Sequence, residues 1–104
     1  MYEFAVRETL WAQRPDEDIF ELHIQIGVPY QVDGVPEEWA CPMSLAPLHA
    51  RRVDIRGGGA FQALCLASSL VLQLLSDFKA QGGKVFIAPG EEMPLEAYGF
   101  GASR

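Results

Sequence analysis

Basic residues are scarce in this sequence, and so are cysteine and histidine. Eight lysines and arginines stand against fourteen acids, for a formal charge of −6. A chain that neutralises phosphates needs the opposite sign, so no nucleic acid is expected as a direct partner. The two cysteines, Cys41 and Cys65, are too few for the disulfide framework of a small secreted domain. Reduced thiols in a cytoplasm are the expectation. Residues Met1 to Arg7 already mix acid and base and show no apolar signal region. The phosphate loop, the dinucleotide fingerprint, the Gly-x-Ser-x-Gly elbow and Cys-x-x-Cys are all missing. No cofactor is therefore expected.

What the chain does have is apolar bulk. Nearly half of its 104 residues are hydrophobic and 11% are aromatic, enough to form one core without disulfides or metal. A single domain covering residues 1–104 is the default, with no repeat, linker or low-complexity segment. The uncharged stretch from Gly57 to Ser76 approaches bilayer length. Gln62, Ser69, Gln73 and Ser76 nevertheless share one stripe of a helical wheel, the pattern of a core helix with one wet edge, and no membrane association is expected.

Phe20 to Val28 carries the strongest strand signal. Phe20, Leu22, Ile24, Ile26 and Val28 alternate with Glu21, His23, Gln25 and Gly27, as in a half-buried antiparallel strand. Phe4, Val6, Leu10 and Trp11 suggest a preceding strand, joined through a turn at Arg14-Pro15-Asp16-Glu17-Asp18. Glu8 interrupts its alternation and points to a bulge or a change of face. Pro29 to Glu38 reads as loop. Trp39 to Leu48 is extended, with Trp39, Cys41, Met43 and Leu45 on one face, and Pro42 and Pro47 assign it to an edge or an irregular strand. Arg51 to Arg56 is a short fourth strand with Val53 and Ile55 inward.

Gly57-Gly58-Gly59 marks a sharp exit into a helix from Ala60 to Ala80. Phe61, Leu64, Cys65, Ser68, Val71, Leu72, Leu75 and Phe78 give it a wide apolar face, and Gly82-Gly83 a stop. Lys84 to Ala88 is a last strand. The expected fold is α+β, an antiparallel sheet of four to five strands on one long helix. So apolar a helix needs cover on its outer side. The segment Met93–Phe100 offers it through Met93, Leu95, Tyr98 and Phe100, and so does a second copy of the chain, which favours a homodimer.

Residues that carry chemistry are thinly spread. Cys41 is a nucleophile only if a base lowers its pKa, and reads better as a small buried hydrophobe. His23, His49, Cys41 and Cys65 lack the closely spaced pair that zinc sites show, so no metal is expected. The glycine turn at a helix start, with Arg52 and Arg56 just upstream, is a conceivable anion site through Gly58 and Gly59. Tight turning and ion pairing explain the same residues. The acids at Asp16–Asp18, Glu37-Glu38 and Glu91-Glu92 fall in loops as solvated charge.

Trp39-x-Cys41-Pro42, the glycine-rich turn and Gly59-Ala60-Phe61-Gln62-Ala63-Leu64 together resemble a family of small bacterial α+β domains of unknown function. The resemblance spans roughly Phe4 to Val85. It implies an antiparallel α+β fold in a bacterial cytoplasm and assigns no catalytic residue. Small acidic bacterial proteins of this kind include immunity proteins, an analogy of size and charge only. The expected function is a non-enzymatic interaction module, of immunity or accessory type, with a basic protein partner. Its contact residues would be Tyr30, Glu37, Glu38 and Tyr98. The alternative is an anionic-ligand binder or enzyme built on Arg52, Arg56, Gly58 and Gly59.

Overall fold

The computed structural model describes residues 3–98, which form one α+β unit: a seven-stranded antiparallel sheet with a single long helix on one face. Strands β1 (Phe4–Gln13) and β2 (Phe20–Gly27) make the expected hairpin. Asp16 takes a positive φ in the connection, where Glu17 N–H bonds to Arg14 O at 3.2 Å. After the two-residue β3 (Tyr30–Gln31) come β4 (Trp39–Ala46) and β5 (His49–Gly57), then α1 (Ala60–Ala80), β6 (Lys84–Ala88), β7 (Glu91–Glu92) and a 3-10 turn at Leu95–Ala97. The strands beyond the expected five are β3 and β7, two residues each and too short to show a period. Across the sheet the order runs β5, β4, β2, β1, β6, β7, and β3 pairs with the start of β4.

Alternation along the strands divides the sheet into two faces. Leu10, Leu22, Ile24, Ile26, Cys41, Met43 and Leu45 are buried on the face under the helix. Thr9, His23, Gln25, Asp54 and Arg56 occupy the other. Five buried helix residues, Ala63, Ala67, Val71, Leu75 and Phe78, complete the core. Small side chains at 63 and 67 let the helix start sit close to β5. A Cβ on Gly57 would lie 2.8 Å from the Ala63 amide nitrogen, so only glycine fits there. The helix ends in paired bonds, Gly83 N–H to Phe78 O and Gly82 N–H to Lys79 O, both 3.0 Å, with Gly82 at φ 96°.

Four local expectations are corrected. Of the two readings of the strand at Trp39 the irregular one holds, with a register shift against β5 between Met43 and Leu45, and the edge one does not: β4 lies between β5 on one side and β2 and β3 on the other. Pro42 is tolerated because it stands where pairing on that second side passes from β2 (at Met43) to β3 (at Ala40). Glu8 neither bulges nor changes face, since the register from Val6 to Ala12 is continuous; the irregularity lies between Phe4 and Val6. Phe61 is 79% exposed rather than part of the packed face, because the buried stripe centres on the alanines. Val28 turns outward past the end of β2. By length and composition α1 would cross a membrane, yet here it packs on the sheet through its five buried residues.

The C-terminal segment covers one flank of α1. Met93 is buried, with its N–H on Val85 O at 2.8 Å, and Leu95 packs against the core. Phe100 lies outside the described residues.

Candidate functional site

Two surfaces gather functional groups, one on each face of the sheet. The first lies on the open face across β3, β4 and β5. Arg52, Asp54 and Arg56 sit two residues apart along β5 and point the same way. Arg52 grips Asp54 with two bonds, Nε to Oδ1 at 2.7 Å and Nη2 to Oδ2 at 2.9 Å. The Tyr30 hydroxyl also donates to Asp54 Oδ2. Tyr30 is opposite Ala40 and Asp54 is opposite Pro42, so this bond passes over β4 and covers both buried residues. Arg56 Nη1 donates to Glu38 Oε2 at 2.6 Å.

The electrostatics follow from this geometry. The Arg52 guanidinium, aided by the Tyr30 hydroxyl, holds the Asp54 carboxyl below its ordinary range against the opposing effect of burial. Asp54 in turn raises Tyr30, mainly by accepting the hydrogen bond that its hydroxyl donates. Arg56 is raised by its bond to Glu38.

The second surface is an apolar groove of about 210 Å³ between α1 and the upper parts of β1 and β2. Val6, Leu10, Ile24 and Ile26 form its floor, Leu72 of the helix one wall, and Met93 with Tyr98 an end. Among the described residues that line it, Glu8 is the one ionisable side chain besides the Tyr98 phenol. Beside the groove the outer edge of β1 from Val6 to Leu10 has no strand partner among the described residues, because β6 pairs only with Trp11, Ala12 and Gln13.

The sequence-derived site residues are therefore regrouped. Tyr30 and Glu38, expected in an interface, and Arg52 and Arg56, expected at a ligand, meet in one network. Its hub, Asp54, escapes sequence reasoning: a lone acid between arginines on a strand carries no motif, and only the β4–β5 register brings Tyr30 to it. Glu37 is exposed in the adjoining turn, while Tyr98 is on the other side of the sheet, in the groove. Gly58 and Gly59 are at the helix start, where Gly58 N–H donates to the Gln62 side chain, away from the face that holds the arginines.

The cysteines and histidines do not assemble. Cys41 is fully buried, its thiol raised mainly by desolvation and donating to Gly27 O at 3.3 Å. Such a thiol is structural rather than nucleophilic. His49 pairs with Leu45, four residues along β4 from Cys41 and so about 13 Å away at the rise of a strand. His23 is on the open face, 3.3 Å from Thr9 Oγ1 and 3.2 Å from a Glu21 oxygen. Among the described residues no three His, Cys, Asp or Glu side chains are grouped to hold a metal ion. Compared with family models, characterised proteins and solved structures, the chain matches none. The resemblance carried by residues 39–42 and 59–64 thus rests on those residues alone.

Proposed function

We propose that this protein is a non-enzymatic interaction module that binds an extended, basic segment of another protein along β1. The observation that carries the reading is the apolar groove with Glu8 on its floor, alongside the edge of β1 from Val6 to Leu10, which has no strand partner among the described residues. An added strand would take its backbone bonds from that edge and lay alternate apolar side chains in the groove. A lysine or arginine on the same face would meet Glu8, and the overall charge of −6 would steer a basic chain toward it. A setting in a bacterial cytoplasm, as an immunity or accessory protein, belongs to the same proposal. The anionic-ligand alternative has less support, since Arg52 and Arg56 are already engaged by Asp54 and Glu38.

Selection of a displayed random-peptide library against the purified protein tests this, followed by fluorescence anisotropy of the enriched peptides. Peptides with apolar anchors beside lysine or arginine are expected. Val6→Lys should abolish their binding, and Glu8→Gln should weaken it about threefold to tenfold at low salt. Failure to enrich any peptide, or binders indifferent to both substitutions, would overturn the reading.

A further inference from the structure

The opposite border of the sheet is a different kind of surface. β5 is nine residues long, pairs only with β4 and contains no proline, so its outer edge has no strand partner among the described residues. Long bare edges invite pairing. Antiparallel pairing of β5 with a second β5 in full overlap places His49 opposite Gly57 and centres the two-fold axis on Val53. Arg52 then falls opposite Asp54 of the copy, and Asp54 opposite its Arg52. Shifting by two residues in one direction sets Asp54 against Asp54 and Arg52 against Arg56; in the other it sets Arg52 against Arg52. Only the full-overlap register alternates the charges, and like charges directly opposite destabilise a pair.

The helix layer agrees with this arrangement. A two-fold axis through Val53 keeps both helices on the same side of a continuous sheet. The C-terminal segment flanks α1 along Ser68, Leu72, Ser76 and Lys79, next to Met93, Leu95 and Tyr98. At 100° per residue, Leu66, Leu70 and Leu74 lie on the opposite flank, turned away from that cover. Leu66 is 43% exposed. Leu70 and Leu74 are partly buried against the core, so Leu66 is the exposed member of the row, and the paired register brings the partner's helix to that side.

We propose that the protein forms a two-fold homodimer by antiparallel β5–β5 pairing centred on Val53, with the leucine flanks of the two helices facing each other. The surface is separate from the β1 groove, so either assignment can fail alone. Sedimentation equilibrium over a wide concentration range is the experiment, on the wild type, Arg52→Asp, Asp54→Arg and an equimolar mixture of the two variants, with circular dichroism confirming that each folds. The wild type should dimerise, and each single variant should self-associate about tenfold more weakly or worse, because like charges then face each other twice. The mixture should restore the dimer as a heterodimer, since both aspartates of the first variant then face both arginines of the second. Leu66→Lys, which leaves the charged network untouched, should weaken the wild-type dimer as well and serves if a charge variant does not fold. A monomeric wild type, a dimer indifferent to these changes, or a mixture that stays monomeric would overturn the proposal.

Discussion

Two strand edges have no strand partner among the described residues, that of β5 and that of β1 from Val6 to Leu10, and they differ in how their charges are laid out. On β5 the row Arg52-Val53-Asp54 is self-complementary about its centre. On β1 the adjacent Arg7 and Glu8 are not: an antiparallel copy centred on either residue sets arginine against arginine or glutamate against glutamate. The neighbouring layers differ too, a leucine row of α1 near β5 and a groove with a carboxylate near β1. On the two proposals, one border would meet a second copy of the chain and the other a different protein. The third exposed strand, β7, is two residues long, acidic and flanked by Pro89 and Pro94, which blunts it as an edge.

The largest expected effect comes from breaking the seat of the helix over β5. Gly57→Ala pushes a methyl group against the Ala63 backbone, which has no flexible end to yield. It should cost about 2 kcal/mol, or roughly 10 °C in melting temperature for a domain of this size. Gly58→Ala is the control, because its Cβ would meet only the end of the Gln62 side chain at 3.2 Å. Thermal melts of the two variants should separate clearly. Equal losses would show that helix-start flexibility, not close approach, makes position 57 a glycine.

Much of the fold is legible in the sequence because it is written in local periodicity. The helix Ala60–Ala80 and the strand Lys84–Ala88 stand where glycine stops and apolar spacing put them. The alternation of Leu22, Ile24 and Ile26 marks the buried face of β2. Strand position within the sheet is not legible. Pro42 argues equally for an edge or an irregular strand, and nothing local reveals that its missing donor falls at a junction between two neighbours. The buried stripe of α1 is displaced for a similar reason: Ala63 and Ala67 carry little hydrophobic signal, yet their small size is what allows contact. The site is still less legible. Tyr30, Glu38, Asp54 and Arg56 become neighbours only through register, and Glu8, which in the sequence only interrupts an alternation, is the charged group of the groove.

A smaller effect is expected from Asp54→Asn, which removes the charge and leaves one acceptor oxygen where Arg52 and Tyr30 use two. At neutral pH and at concentrations where the protein is monomeric, the loss should be about 1 kcal/mol by urea denaturation. The pH dependence has a definite sign. A carboxyl held below its unfolded value of about 3.9 stabilises the fold above that pH, and the contribution fades as pH falls through the lower folded value. The gap between wild type and variant should therefore close in acid. Tyr30 is raised, so its contribution is present below about pH 10 and is lost as pH rises through the folded value. A gap that persists unchanged at low pH would mean that Asp54 acts by shape rather than charge. Glu38→Gln, on the more exposed Arg56 pair, should cost less.

The smallest change in stability, and the sharpest test of the contrast between borders, is expected from Glu8→Val. It removes the carboxylate from the groove and leaves an unbroken apolar row from Val6 to Leu10 on one face of β1. The opposition of like charges that discourages self-pairing in the register centred on residue 8 disappears with it. Because Glu8 is exposed and has no ion pair among those found in the described residues, folding stability should change by less than about 0.5 kcal/mol. Assembly should change instead. With β5 closing one two-fold contact and β1 opening another, copies add at both borders and the products become open chains rather than dimers. Light scattering should then show species that grow with concentration. Adding Arg52→Asp, which closes the β5 route, should limit growth to dimers joined through β1. If Glu8→Val stays dimeric at every concentration, the charge on β1 is not what keeps that border from pairing with itself, and its selectivity must come from the shape of the groove.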